Sequence, residues 1–334
     1  MQRPTMLYLA AAGIAVMQWA GFACAKPAGA NPLRLEAKIP LGKVSGRIDH
    51  MTIDLPRRRL FVAEFGNGRI SIVDLGTQKV VQRITGLKEP QGVAYVAAND
   101  MLYVASGGDG SLRNFRGPDY LPAGRLNLGE DADNIRVDSA NHRLLVGYGN
   151  GAIGVVDFAS GKKAAAFALE GHPESFQLDT ESGKIFVNVP GARSISVLDG
   201  NSGRELTRWL MPFKANFAMA LDRKRQRVLT VFRQPAKLVA FAERTGARVG
   251  ETDVCGDADD VFIDTKRDRI YISCGEGFID VLNAADPQYK KLAHIRTVAG
   301  ARTALFVPDM DRLLLAVRAR PGEPASIWVY RTVP

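Results

Sequence analysis

Eleven residues near the starts of repeated segments have the chemical types that hold a cation or a polar ligand. When seven repeats are aligned on their second strands, one equivalent position falls at Asp49, Gln91, Asp133, Glu174, Phe217, Asp259 and Arg302. Six of these seven side chains are polar and four carry a carboxyl group. The next position adds His50, Asn134, Ser175 and Asp260, and His172 lies two residues before Glu174. The alignment predicts that these side chains share one site.

Carboxylates crowded around one point repel each other, so such a cluster needs a cation, protons or a basic partner. Arg302 can neutralise only one of them. A hard divalent ion such as Ca²⁺, Mg²⁺ or Zn²⁺ suits their oxygens, and His50 or His172 could serve as a further ligand or as a general base. The metal-binding candidates are Asp49, Asp133, Glu174 and Asp259. The alternative is a water-filled cavity in which every polar group is satisfied.

The elements that position these residues are repeats of about 42 residues. In residues 60–74, two β-prone runs flank the turn Gly66-Asn67-Gly68, which predicts a hairpin. Similar hairpins begin at Leu102, Leu144, Ile185, Val228, Ile270 and Leu313, in steps of 42, 42, 41, 43, 42 and 43 residues. This period, built of short strands, is typical of propeller blades. The sequence therefore predicts an all-β, seven-bladed β-propeller of four-stranded antiparallel blades.

The last repeat lacks a fourth strand. It supplies strands at residues 303–307, 313–317 and 327–330, and the chain stops four residues later. Residues 33–41 form an alternating strand that has no neighbouring partner in the sequence. Pairing the two would close the ring and remove two unpaired sheet edges. We therefore expect the N-terminal strand to complete the last blade.

The first strand of five repeats ends in Asp, and a turn rich in Arg and Lys follows in several of them, as at Arg57-Arg58-Arg59. The Asp can accept hydrogen bonds from the turn amides or form an ion pair with the Arg and Lys side chains, and both are structural roles. These turns fall on the face opposite the acidic cluster. They predict either a solvated face or one that binds DNA or another anionic surface non-specifically.

The N-terminus is typical of an exported protein. Arg3 precedes an apolar run at residues 7–23, and Ala23-Cys24-Ala25 fits a cleavage site. We predict a signal peptide at 1–25, a linker at 26–32, a single propeller at 33–334, and a periplasmic or secreted location. A permanent anchor and a lipid-modified Cys24 are the alternatives. No segment of the mature chain approaches the 18 apolar residues of a membrane span.

Two cysteines remain after cleavage, and both lie in the sixth repeat. Cys255 stands just before the first strand of that repeat and Cys274 at the end of the second. In an antiparallel pair these points lie at the same end of the sheet, so a disulfide is geometrically possible. An oxidising compartment would preserve it. The alternative is two unrelated buried thiols.

Several segments carry a family resemblance. Residues 61–64 (FVAE), 103–106 (YVAS) and 271–274 (YISC), each followed by a Gly-rich turn, resemble the YVTN family of seven-bladed β-propellers, the YncE-like group. Residues 47–50, 89–95, 256–260 and 275–281 resemble an exported bacterial branch of that group. The resemblance covers residues 33–334 and implies the fold and export. It also implies a binding protein, with DNA binding as the property of one branch.

Motifs of common enzymes are absent from the sequence: it has no GxSxG, HExxH, phosphate loop or CxxCH. Two function classes remain. The first is a non-catalytic protein that binds a small molecule or a protein partner at the face of the acidic cluster. The second is a metal-dependent lyase or lactonase-type enzyme, since virginiamycin B lyase is similar in having seven blades. The net charge of +9 favours anionic partners without naming one.

Overall fold

Short strands and tight turns alternate along the whole described part of the chain. The structure is a computed structural model and describes Met1 and residues 31–334. The predicted signal peptide, apart from Met1, and most of the predicted linker lie outside the described residues. Residues 32–334 form one compact unit. None of the described helices is long and apolar enough to cross a bilayer.

The described strands form seven antiparallel sheets of four strands each. The sheets of the first four blades are, in order from the inner strand, β2 (Met51–Asp54), β3 (Arg59–Glu64), β4 (Arg69–Asp74) and β5 (Lys79–Ile84); β6 (Pro90–Val96), β7 (Met101–Ser106), β8 (Ser111–Arg116) and β9 (Leu121–Asn127); β10 (Ile135–Asp138), β11 (Arg143–Tyr148), β12 (Ala152–Asp157) and β13 (Lys163–Ala168); and β14 (Phe176–Asp179), β15 (Lys184–Val189), β16 (Ser194–Asp199) and β17 (Glu205–Leu210).

The remaining three blades follow the same plan. They consist of β18 (Lys214–Asp222), β19 (Arg227–Gln234), β20 (Ala236–Ala242) and β21 (Arg248–Asp253); β22 (Ala258–Asp264), β23 (Arg269–Cys274), β24 (Phe278–Asn283) and β25 (Lys291–Arg296); and β26 (Ala304–Val307), β27 (Arg312–Val317), β28 (Ala325–Thr332) and β1 (Leu33–Gly42). Contacts between inner strands run from β2 through β6, β10, β14, β18, β22 and β26 back to β2. The predicted seven-bladed β-propeller is confirmed.

The N-terminal strand closes the ring as predicted. β1 pairs antiparallel with β28, from Leu33 opposite Thr332 to Gly42 opposite Ala325. Its side chains Ile39 and Leu41 are buried in a core shared by the last and first blades. Both chain ends of the propeller are therefore tied into one sheet, and its outer edge is the N-terminal strand.

Hydrophobic side chains between neighbouring blades form the core. Phe61 and Ile72 of the first blade pack with Leu102 and Val104 of the second, and the ring of Tyr120 meets that of Phe61 edge-on at 5.3 Å between centroids. The outer strands face solvent, as the mostly exposed pattern of β13 shows. Because each core lies between two blades, the inner strands are held in position by packing on both sides.

The turn after each inner strand explains the recurrent Asp. Asp54 accepts a hydrogen bond from the backbone N–H of Arg57 at 3.2 Å and from its guanidinium at 2.8 Å. The same capping of turn amides occurs at Asp138, Asp179, Asp222 and Asp264. All five carboxylates are buried. The structure confirms that these Asp residues have the predicted structural role of capping the turn.

Candidate axial ligand-binding site

The backbone places equivalent residues at the same point of different blades. The N–H of Asp49 donates to the Ala63 carbonyl at 2.7 Å, and the N–H of Asp133 donates to the Gly147 carbonyl at 2.9 Å. The N–H of Glu174 makes the corresponding bond at 3.0 Å. These three residues directly precede inner strands, so their side chains meet at one end of the propeller axis.

In three other blades the aligned residue lies within the inner strand instead of before it. Gln91 and Asp259 are the second residues of β6 and β22, and Phe217 lies inside β18 next to a bulge. The prediction that the aligned residues stand where each inner strand begins holds for Gln91 and Asp259, whereas Phe217 lies three residues after the first residue of its strand. The bulge in each strand takes up the additional residue, which keeps the inner part of the blade in register.

A cavity of about 40 Å³ at this end of the axis, which we call the mouth cavity, gathers most of the predicted residues. It is lined by Arg47, Asp49, His50, Asp133, Asn134, Glu174, Ser175, Phe217, Asp259 and Asp260. The predicted residues Gln91, His172 and Arg302 do not line it. A volume of this size holds one water molecule or one polar group of a ligand.

The three remaining predicted residues lie around the cavity. Gln91 accepts a hydrogen bond from Arg47 at 2.9 Å and donates to Asp131 at 3.0 Å. The Nδ1 atom of His172 is 2.6 Å from the Gly149 carbonyl oxygen, so it carries the proton and leaves Nε2 free to accept. Arg302 donates to both carboxylate oxygens of a neighbouring residue, Asp257, at 2.7 and 2.8 Å.

Arginines neutralise two of the four predicted metal-binding carboxylates. Asp49 pairs with Arg47. Asp259 contacts Arg233 at 2.5 Å and Arg302 at 3.3 Å. Only Arg302 was predicted from the sequence as a neutralising base, and the structure adds Arg47 and Arg233. Arg47 stands two residues before Asp49 in the segment that leads into β2, so their closeness in the sequence could have revealed that pair.

The described residues contain no group of three or more His, Cys, Asp or Glu side chains arranged to hold a metal ion. The arginine pairs explain why the carboxylates can lie close together without one. The predicted divalent cation thus has no ligand set in the described part of the chain, and it does not enter the proposed function.

The innermost part of the site is built from titratable groups. The Nε2 atom of His50 lies 3.7 Å from the Oδ1 atom of Asp49 and 3.7 Å from that of Asp133. Asp133 is only 8% exposed, and its Oδ1 atom is buried without a hydrogen-bond partner among the described residues. Asp260 accepts a hydrogen bond from the backbone N–H of Ala304 at 2.8 Å.

Burial and mutual repulsion shift the pKa values of this group. Burial raises the pKa of Asp133 to about 7, with Asp49 and Glu174 adding to the effect and His50 opposing it. Burial also raises the pKa of Asp260 to about 7. Burial acts to lower the pKa of His50, but the surrounding carboxylates outweigh it and the net shift is upward. The group therefore stores protons near neutral pH and can donate or accept hydrogen bonds.

A second and larger cavity of about 350 Å³ lies along the axis between the inner strands, and we call it the channel. Its lining includes His50, Asn134 and Asp260, which also line the mouth cavity. The titratable group therefore stands between the two cavities. The sequence interpretation did not single out Arg136, which also lines the channel.

The opposite face carries the basic turns, and their charges are largely paired. In the described part of the chain, bases of one blade reach a carboxylate of the next at three junctions: Arg57 with Asp100 at 2.8 Å, Arg225 with Asp268 at 2.7 Å, and Arg267 with Asp311 at 2.9 Å. These pairs join blades as well as neutralising charge. No contact in the described residues supports DNA binding by this face.

The two cysteines of the sixth blade are joined. The disulfide between Cys255 and Cys274 spans Cα atoms 5.8 Å apart. It closes the segment that leads into Asp257, Asp259 and Asp260, so it fixes one side of the mouth cavity. A disulfide is compatible with export.

Comparison with solved structures shows the same fold at low sequence identity. A chain from the crystal structure of a mitotic checkpoint complex superposes with a TM-score of 0.72 at 14% identity, covering 88% of this chain and 95% of that one. A chain of hydrazine synthase from Kuenenia stuttgartiensis gives 0.74 at 15% identity, with coverage of 87% and 98%. No family model and no curated protein matches the sequence. The chain is a seven-bladed β-propeller. At these identities the likeness carries no particular function.

Proposed function

We propose that the protein is an exported β-propeller that binds a small organic molecule on its central axis. The observation that carries the proposal is the buried, unpartnered Oδ1 atom of Asp133, which faces His50 at the boundary of the mouth cavity and the channel. An unsatisfied buried oxygen costs about 1–3 kcal/mol, so its presence at this boundary is not explained by the stability of the fold. A channel of about 350 Å³ is also within the size range of small-molecule sites.

Export and family membership belong to the same proposal. The charged and apolar N-terminal sequence and the disulfide of the sixth blade support an extracytoplasmic location. The seven-bladed fold supports membership of the YncE-like group, which the motifs at residues 61–64, 103–106 and 271–274 indicate. A protein partner at the same face is the alternative occupant. The narrow mouth and the volume of the channel favour a small molecule.

Binding can be followed through the histidines, because the chain has only four. The Cε1–H resonance of His50, assigned with a His50→Gln variant, would be recorded by NMR during titration with three probe classes: alkyl carboxylates, alkyl amines and neutral sugars. We expect one class to shift His50 in a saturable manner. The distant His142 and His294 are internal controls and should not move. If no class shifts His50, or if all four histidines move alike, the proposal is wrong.

A further inference from the structure

The channel contains one arginine at a position where the other blades carry no charge. The third residue after each aligned position lies on an inner strand, and in the seven blades these residues are Thr52, Ala94, Arg136, Gln177, Ala220, Phe262 and Leu305. Six of them, all except Ala220, line the channel. Arg136 is the only charged residue of the seven. Since six blades form the same strand without a charge there, the repeat does not require one.

The guanidinium of Arg136 is incompletely satisfied by its surroundings. It donates to the backbone carbonyl of Ile135 at 2.9 Å, and its contacts with Asn134 and Ser175 are both long, at 3.4 Å. Its guanidinium carbon lies 5.3 Å from the centroid of the Phe176 ring, and it forms no ion pair within 4.0 Å among the described residues, in contrast to Arg47 and Arg233. A guanidinium has five N–H donors, so at least two remain for another acceptor.

The channel walls next to this cation are apolar. Val93, Ala94, Val137, Phe262 and Leu305 form much of the lining. A cation held in such surroundings is costly, and burial accordingly lowers the pKa of Arg136. The carboxyl groups of Asp260 and Asp133 oppose that shift only in part, and both are themselves protonated over much of the range below pH 7.

We infer that the channel binds a small organic monocarboxylate, with its carboxylate on the guanidinium of Arg136 and its apolar body against Val137, Phe262 and Leu305. A carboxylate matches the planar donor pair of a guanidinium better than a single-point anion does. The channel volume of about 350 Å³ accommodates a body of several carbon atoms. The inference rests on the proposed function, since it names the ligand class of the same axial site.

The probes for calorimetric titration are hexanoate, acetate, hexylamine and inorganic phosphate, at neutral pH and low salt. We expect hexanoate to bind and hexylamine not to bind. Because each buried methylene contributes to affinity, every added carbon from acetate to hexanoate should tighten binding about threefold to fourfold. Phosphate binding as tight as that of hexanoate, without a dependence on chain length, would overturn the organic-acid assignment.

Two substitutions locate the site. Arg136→Gln should weaken hexanoate binding at least about tenfold, since a charge-assisted contact is lost. Arg125→Gln, an equal change of charge on the exposed strand β9, is the matched control and should bind like the unaltered protein. Equal affinity in Arg136→Gln and the unaltered protein would overturn the inference.

Arg136 also touches Ser175 of the next blade, so Arg136→Gln could unfold. Arg136→Lys keeps the charge and covers that case: we expect it to fold and to bind hexanoate more weakly than Arg136 but more tightly than any neutral variant. Undiminished affinity in the Lys variant would contradict the paired-donor geometry. The two proposals can fail separately. A shift of the His50 resonance with amines or sugars alone would support the axial site and contradict the carboxylate assignment. No shift with any probe would contradict both proposals.

Discussion

Replacing Asp133 by Asn should stabilise the protein at about pH 8 and change its stability little at about pH 4.5. The carboxyl group is buried, has one oxygen without a partner, and stands near the carboxylates of Asp49 and Glu174. Its ionised form is therefore disfavoured in the folded protein, which is why its pKa is raised to about 7. Asn is similar in shape and never ionises, so it removes this penalty.

The sign and size follow from linkage. Because the pKa of Asp133 is higher in the folded than in the unfolded chain, the folded state binds the proton more tightly, and the free energy of unfolding falls as pH rises from about 4 to about 7. A difference of about 3 units at 1.36 kcal/mol per unit gives a ceiling of about 4 kcal/mol. The neighbours His50 and Asp260 titrate in the same range and can relax, so we expect a gain of roughly 1–3 kcal/mol for the Asn variant at about pH 8.

Urea denaturation at the two pH values measures this gain as a change in midpoint at constant slope. Asp138→Asn, at the other end of the same strand, is the matched control. Burial acts to raise the pKa of Asp138, but hydrogen bonds from Asn141 and Arg143 outweigh it and lower the pKa. Its stabilising contribution is present above the unfolded pKa, so this variant should lose stability at about pH 8. If Asp133→Asn also loses stability there, or keeps the full pH dependence, the reasoning is refuted.

Two further predictions concern the architecture. Deletion of residues 26–41 removes the strand that closes the last blade and should lower the melting temperature sharply; an unchanged temperature would count against the closure. Intact exported protein should show no free thiol by non-reducing mass spectrometry, and replacing Cys255 and Cys274 by Ser should cost about 3 kcal/mol, because the crosslinked residues are 19 apart. Two free thiols in the exported protein would contradict the disulfide.

The fold was predictable because its determinants are local. Each hairpin turn specifies its own few residues and recurs in all seven blades, and the Asp that ends the inner strand does the same in five of them. Closure was predictable for the same reason, since a missing strand at one end and a spare strand at the other can be counted. The exact starts of β6, β18 and β22 could not be predicted, because a bulge adds a residue without changing the pattern of apolar positions.

The position of the candidate site could be predicted from the sequence, but the pairing of its charges could not. Equivalent positions of a ring must meet at its axis, which correctly brought Asp49, Asp133 and Glu174 together. Arg233 was missed because it comes from the end of a second strand, β19, and reaches Asp259 across the junction of two blades. Likewise, the basic turns were read one blade at a time. Their partners, such as Asp100 for Arg57, lie one whole repeat further along the chain.

Comparison among the seven blades also separates structural from functional residues without any other sequence. A residue that recurs at one position, such as the Asp ending five inner strands, serves the blade, because every blade faces the same turn. A residue that appears once, at a position where other blades carry Thr, Ala, Gln, Phe or Leu, is not required by the blade. Arg136 is such a residue, and it stands in the channel, where a charge is costly without a counter-ion. The cost is what makes the difference informative, because a carboxylate ligand in the channel would offset it.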